Sequence, residues 1–396
     1  MQEKISIVQS VNDLSPKSGG PSKTVSNLSS ALIDAGINLK LITRNINKSE
    51  LPKNIVLKNL IFYKSKIRYF RPFIDDNINS LLENLILDKQ NLIIHDNGIW
   101  LPSNNTICSF ARKNKIKLII SPHGMLEPWS LNYKKYKKRL AWFLYQNRNL
   151  KSADVLHACS EMEANNLLQL NLKKPIALIP NGIESPSKIQ LENPYLLRDL
   201  GIKDNSYNNF IFVGRIHPKK GLLVLLESAK ITLKKINNWR LIIAGYPELN
   251  YDSVLKDYIE KNNMNDKVVI LGPLEGESLF NLYKNAKFLI LPSFSENFGL
   301  VVAEALNFGL PVIATTGTPW SILEKTKSGW WVEPTVEDIS KAINNAINLD
   351  EKDYEIMSSN AIILSKNFDW KKISESFLVL YKWMLGKISK PDFLIW

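Results

Sequence analysis

A chain of 396 residues with 45% apolar and 22% charged side chains has the composition of a globular protein and a length that suits two domains better than one core. No run approaches the roughly 18 apolar residues of a membrane span, and MQEKISIVQSV passes straight into a strand-like pattern without the regions of a secretory signal, so a cytoplasmic protein is expected. Two cysteines, Cys108 and Cys159, without CxxC or a Cys/His cluster give neither a disulfide framework nor a zinc site, and the net charge of +13 is spread over both halves without a nucleic-acid-binding motif.

The first strand expected is KISIVQS (4–10). It leads into NDLSPKSGGPSKTVSNLSSALIDAG, where Gly19 and Gly20 form a turn entering a helix. Adjacent glycines let backbone N–H groups approach an anion, and the helix N-terminus adds partial positive charge. Neither GxGxxG nor GxxxxGK[ST] is present, and taken alone such a segment is more often an ordinary turn. Further strands are expected at NLKLIT (38–43), NLIIHDNG (91–98), KLIISPHG (117–124), DVLHACS (154–160) and PIALIPNG (175–182). His95, Asp96 and Asn97 end one of them and are candidate site residues; His123 ends another.

Between these strands, YKKYKKRLAWFLYQ (133–146) reads as a helix. Tyr133, Tyr136, Leu140 and Phe143/Leu144 share one face, and Lys134, Lys135, Lys137, Lys138 and Arg139 surround it. Two readings stay open: a solvated basic face over a core stripe, or an anionic membrane surface contacted through residues 133–148.

The stretch 183–208, rich in Ser, Pro and Asn, marks a domain boundary. A second series of strands follows at NFIFVGR (209–215), WRLIIAG (239–245), KVVILG (267–272), KFLILPS (287–293) and PVIATT (311–316). FDWKKISESFLVLYKWML (368–385) reads as an amphipathic helix whose apolar stripe packs into a core. Continuous Ile/Val/Leu strands alternating with helices indicate parallel sheets covered on both faces. The expected class is α/β, with two Rossmann-like doubly wound domains at 1–190 and 191–370 and a helix and tail, 371–396, crossing to the first. Two such domains imply a cleft, and ligands bind beyond the carboxyl ends of the strands.

Two segments of the second half carry chemistry. In FVGRIHPKKG (212–221), Arg215 and Lys220 place two cations at a solvent-facing strand-to-helix turn, suited to a diphosphate; a solvated basic turn is the plainer alternative. LPSFSENFGLVVAEAL (291–306) puts Glu296 in a loop and Glu304 on the helix that follows, with Asn297 to Leu300 at the helix entry. Free N–H groups there bind phosphate. Glu304 is placed to accept from ribose hydroxyls, and Glu296 to reach a sugar beyond the diphosphate. A glycosidase pair would face each other across a bond, which strand, loop and helix do not obviously arrange.

VGRIHPKKGL, PSFSENFGLVVAEALNFGLPVIAT and IPNGIE resemble the signature segments of the retaining nucleotide-sugar glycosyltransferases of family 4, which have the GT-B fold. Residues 121–146 and 315–334 are similar to a bacterial subgroup linked to surface polysaccharide assembly. The resemblance implies that Arg215 and Lys220 hold the donor diphosphate, Glu304 binds the ribose and Glu296 lies beside the transferred sugar. Phe298, Gly299 and Leu300 would present backbone amides. Gly19 and Gly20 match the glycine loop over the phosphates, His123 a histidine touching the donor sugar, and Leu271 and Gly272 would lie near the base; Gly214 belongs to the same donor set, and His95, Asp96 and Asn97 are candidates for the acceptor side. Gly245-Tyr246-Pro247 lacks the second close glycine, which affects the base pocket.

Without an Asp-x-Asp, transfer independent of metal or other cofactor is expected. The implied partners are a nucleoside-diphosphate hexose and a glycan or lipid-linked glycan in lipopolysaccharide, exopolysaccharide or capsule synthesis. Alternatives are a GT-B phosphorylase, a nucleotide-sugar epimerase, or a basic membrane- or nucleic-acid-binding module.

Overall fold

Among the described residues fourteen strands build two sheets, of eight and six, each paired in parallel around a reversal of strand order except for one antiparallel edge pair. The computed structural model describes residues 5–15, 19–44, 51, 57–68, 71–85, 91–184, 208–233 and 236–396. Two compact units result, Met1–Gly182 with Trp370–Trp396, and Ile183–Asp369. Most of the expected boundary stretch 183–208 lies outside the described residues, as do residues 16–18 of the glycine turn.

In the first unit the strands are β1 (Ser6–Val11), β2 (Asn38–Arg44), β3 (Leu60–Tyr63), a small pair β4 (Ile67–Arg68) and β5 (Arg71–Asp75), then β6 (Leu92–Asn97), β7 (Lys117–Ser121), β8 (Val155–Ala158) and β9 (Ile176–Leu178). The second unit holds β10 (Asn208–Val213), β11 (Trp239–Ala244), β12 (Val268–Leu271), β13 (Phe288–Leu291), β14 (Val312–Thr315) and β15 (Gly329–Val332); β16 (Leu394–Ile395) returns to the first. The sheet orders are β16-β9-β8-β7-β6-β1-β2-β3 and β12-β11-β10-β13-β14-β15.

Both orders reverse at an interior pair. In the first sheet β1 neighbours both β2 and β6; in the second β10 neighbours both β11 and β13, all parallel. Connections leaving these pairs turn to opposite sides, opening a crevice at the carboxyl ends of the strands.

The runs of Ile, Val and Leu form strands because each sheet is covered twice. Ile7, Leu39, Leu41, Ile93 and Ile119 pack to one side of the first sheet, and Val8, Ile42, Ile94, Leu118 and Ile120 to the other. Fully burying one such side chain contributes about 1.5–3 kcal/mol. In the second unit Phe210 stacks on Trp239 at 4.7 Å and on Phe288 at 5.4 Å, fixing β10 against its neighbours.

The C-terminal helix is Trp370–Met384, and it returns to the first unit. Its buried Ile373, Phe377, Leu380, Tyr381 and Met384 join the core beside the helix Gly20–Asp34. The tail that follows adds β16 antiparallel to β9, with Leu394 paired to Ala177.

The expected basic helix is broken into Pro128–Asn132, Lys135–Ala141, a π-turn at Trp142–Gln146 and Asn147–Ser152. Its apolar stripe faces solvent, and the side turned inward carries Trp142, Tyr145 and Leu150 instead. Among the described residues no helix is long and apolar enough to cross a membrane.

Candidate active site

Parallel strands bring the carboxyl ends of β10 to β14 to one edge of the second sheet. Glycines permit the close approach there. A Cβ on Gly221, whose φ is +67°, would fall 2.1 Å from the Pro292 carbonyl oxygen, and one on Gly245 would fall 1.7 Å from the Gly214 carbonyl oxygen. The Gly221 contact seats the turn Pro218–Lys220 directly against the exit of β13. The Lys220 ammonium therefore donates to Glu296 Oε1, joining the strand pair at which the order reverses.

Both side chains of this ion pair are only 13% exposed. Ser293 Oγ donates to the same Glu296 oxygen at 2.7 Å, and Glu296 N–H donates to the Gly317 carbonyl at 2.8 Å. Burial pushes the Glu296 carboxyl up, but the Lys220 charge and hydrogen bond, helped by Ser293, leave it below the usual value. Lys220 was expected on a solvent-facing turn. The structure corrects this, because the packing of Gly221 on Pro292 draws the lysine inward.

Arg215 follows β10 and Gly214 and stays 51% exposed. It is held by Glu248, whose two carboxylate oxygens accept from Nη1 at 2.9 and 3.2 Å. The strands beside β10 end alike: Gly214 N–H donates to Ala244 O at 3.0 Å, and Gly245 N–H to Gly272 O at 3.2 Å. Leu271 is buried, whereas Gly272 is exposed with open space around it.

Beyond Glu296 the loop is fixed by aromatic packing. The Phe298 side chain is buried against Trp320, with ring centroids 5.3 Å apart, and its carbonyl accepts from the Trp320 indole N–H. Asn297 and Phe298 lead to Gly299 at φ +74°, which caps the helix Leu300–Asn307. Glu304 lies buried in that helix and accepts from the Tyr283 hydroxyl at 2.9 Å. Burial first, and the Glu304 charge second, hold the Tyr283 phenol well above its ordinary value, so it remains a donor. Tyr283 lies in NLYKNA, a segment that carries no motif and so gives no sign of this role in the sequence.

In the first unit Gly19 has φ +77° and precedes the helix Gly20–Asp34, with open space where a side chain would stand on either glycine. Of the acceptor-side candidates, His95 and Asp96 are fully inside the core. His157 Nε2–H donates to Ile179 O at 2.8 Å, leaving Nδ1 to accept from Ser121 Oγ at 2.8 Å. The Ser121 oxygen in turn accepts from His95 Nε2–H at 2.7 Å. The His95 Nδ1 atom faces the Tyr381 hydroxyl at 3.4 Å and the Gln9 amide at 3.5 Å. Every step is set by one end being a carbonyl, and neutral histidines satisfy it. Burial lowers His157 to about 4 and, with the His157 charge, lowers His95 as well. His157 lies one residue before the end of β8 and was legible in DVLHACS.

Asp96 accepts from Ser10 Oγ at 2.6 Å and from Asn104 Nδ2 at 3.0 and 3.1 Å. Burial nevertheless pushes its carboxyl to about 7, against the lowering effect of those bonds and of Cys108. Asn97, next on the strand, reaches His123: its Oδ1 accepts from Nε2 at 3.0 Å. His123 is half-buried with φ +51°, and burial followed by the His157 charge lowers it to about 3. It is therefore neutral, with Nδ1 left as an acceptor. Glu163 ties the same loop down, accepting from Gly124 N–H at 2.7 Å and Cys159 N–H at 2.9 Å. Thr24, His95, Asn97, His123, His157 and Asn181 are among the residues lining a small cavity here.

The structure thus joins Lys220 to Glu296 and His123 to Asn97, while Arg215 and Glu304 are bonded to Glu248 and Tyr283. Two family descriptions match the chain: Glycosyltransferase Family 4 over residues 18–185, and Glycosyl transferases group 1 over residues 198–363. An uncharacterized glycosyltransferase of Haemophilus influenzae is 26% identical over 375 residues, covering 91% of this chain and 95% of the relative. Another, from Methanocaldococcus jannaschii, is 29% identical over 188 residues, so that the chain spans about half of that relative, 47% of each. The structure of Anabaena HepE in complex with UDP and glucose has a TM-score of 0.75 at 17% identity and covers 95% of this chain and 99% of that one, a likeness of fold. Two reversing parallel sheets of this kind are those of the GT-B fold. The chain belongs to glycosyltransferase family 4.

Proposed function

We propose that the protein is a metal-independent, retaining glycosyltransferase that moves a hexose from a nucleoside-diphosphate sugar to a glycan or lipid-linked glycan. The observation that carries this reading is the Lys220–Glu296 pair at the reversal of the second sheet, with Arg215 on the same β10 exit. In the reaction the bond from the anomeric carbon to the diphosphate oxygen breaks, and a bond to the acceptor hydroxyl forms on the same face. The acceptor proton passes to the departing phosphate oxygen. Positive charge grows on the ring and negative charge on the leaving group. Arg215 and Lys220, with the N–H groups at the start of Leu300–Asn307, stabilise the latter without a cation.

Glu296 is assigned to orient and electrostatically support the sugar, its carboxylate being held ionised by Lys220 and Ser293. Glu304 accepts from the ribose, aimed by Tyr283. His123, neutral with its free nitrogen outward from Asn97, accepts from a hydroxyl of the transferred sugar. Gly19 and Gly20 offer backbone N–H groups to phosphate. HepE was solved with UDP and glucose, which supports a nucleotide sugar as donor. Residues 121–146 and 315–334 support a place in surface polysaccharide synthesis.

The test is release of nucleoside diphosphate from a panel of nucleotide sugars, with and without glycan acceptors and with chelator present, followed by NMR assignment of the product's anomeric configuration. Acceptor-dependent release with retention and no effect of chelator is expected. Release without acceptor that yields free epimerised sugar favours the epimerase, and inversion or a need for metal overturns the mechanism.

A further inference from the structure

Residues 128–153 contain seven Lys or Arg and no Asp or Glu. Their inward side is settled by packing: Trp142 lies 6.3 Å from Trp100, Tyr145 and Leu150 are buried, and Lys138 donates to the Ser130 carbonyl and to its hydroxyl at 3.1 Å. At about 100° per residue, Tyr136, Leu140 and Phe143 fall on the other side of the helix. They are 81%, 60% and 87% exposed. Exposed Lys135, Lys137 and Arg139 flank them, and the stacked, exposed pair of Trp129 and Tyr133 extends the apolar strip.

A contiguous exposed strip of this kind marks an interaction surface, and its charges choose the partner. A second copy of the chain would set one lysine row against another. A nucleic acid would meet the cations but leave Leu140 and Phe143 in water. A bilayer with anionic headgroups satisfies both, since aromatic and aliphatic side chains enter the acyl boundary while cations stay among the phosphates. We infer that residues 129–144 form a docking surface for an anionic lipid bilayer, with Tyr136, Leu140 and Phe143 inserted and Lys135, Lys137 and Arg139 on the headgroups. This partner goes beyond the sugar transfer and stands without it, although it suits a lipid-linked acceptor.

Flotation of the full chain with vesicles of phosphatidylcholine alone, or of phosphatidylcholine mixed with phosphatidylglycerol, tests it with lipid as the only probe. Binding to the mixed vesicles alone, weakening as salt rises, is expected. K135S/K137S/R139S weakens partitioning by about a hundredfold, and Y136S/F143S removes it although every cation remains. All five positions are exposed, so both variants melt as the wild type does. K220A, which concerns only the donor reading, floats like the wild type. Absence of binding to the mixed vesicles at low salt overturns the inference. So does wild-type binding by Y136S/F143S, or a concentration-dependent dimer that this variant abolishes.

Discussion

Lys220 and Glu296 lie 76 residues apart in sequence and meet as a largely buried ion pair at the reversal of the second sheet. Lys220→Ala removes a cation proposed to neutralise the leaving diphosphate, and loss of one such contact costs about 100- to 1000-fold in kcat. It also leaves Glu296 buried beside Ser293 without its counterion, so a drop in stability of about 3 kcal/mol is expected with it. Glu296→Gln leaves Lys220 without its counterion but keeps an oxygen toward it, so it costs less stability than Lys220→Ala while turnover falls. Urea unfolding and nucleoside diphosphate release read the two effects separately. Wild-type turnover in Lys220→Ala would remove the donor assignment.

Tyr283 acts as a positioning residue through its bond to Glu304. Tyr283→Phe keeps the ring and its stacking on Phe308, whose centroid is 5.4 Å away, and deletes only the donor. One hydrogen bond to a charged group amounts to about 1.5–3 kcal/mol. Donor KM should therefore rise about tenfold or more, with kcat much less affected. Glu304→Ala should raise it further, and adding Tyr283→Phe to Glu304→Ala should change little. An equal fall in kcat would place Tyr283 in the chemical step instead.

The fold was readable because strands buried on both faces must be apolar throughout, as in LIIA of β11 and FLIL of β13. Short edge strands, LIFY at β3 and GWWV at β15, carry too little pattern to be seen, as does the tail that forms β16. The loop motifs around Arg215, Lys220 and Glu296 were legible because they follow such strands. What they touch was not: Glu248 and Tyr283 come from segments whose placement depends on tertiary packing. The stripe of Tyr136, Leu140 and Phe143 shows the limit plainly, since periodicity reveals an apolar face but not which way it points.

The buried histidines make acid stability a reporter of the first unit. A free histidine titrates near 6.5, whereas His157 is lowered to about 4 and His123 to about 3. The unfolded chain then binds protons that the folded chain refuses, so this stability is complete above pH 6.5 and is lost as pH falls towards 4. Between pH 8 and pH 5, His157 alone accounts for about 2 kcal/mol. His157→Gln can still accept from Ser121 and donate to Ile179 but does not titrate. Its urea midpoint should fall less on acidification than that of the wild type, and an unchanged slope would show that His157 titrates normally in the fold.

Asp96 works in the opposite direction. Its carboxyl is raised to about 7 by burial, against about 3.9 unfolded. From pH 4 to pH 7 the folded chain therefore keeps a proton that the unfolded chain releases, and stability declines as pH rises through this window. The histidine and aspartate contributions overlap and partly cancel, which flattens the wild-type curve. Asp96→Asn can accept from Ser10 and from one Asn104 N–H, at the cost of a second Asn104 hydrogen facing the new amide. The variant should thus start less stable than wild type at pH 4, gain on it by a few kcal/mol through pH 7, and show the histidine-driven acid loss undiluted. A difference between the two proteins that stays constant with pH would mean that Asp96 is ionised throughout, with Ser10 and Asn104 outweighing its burial.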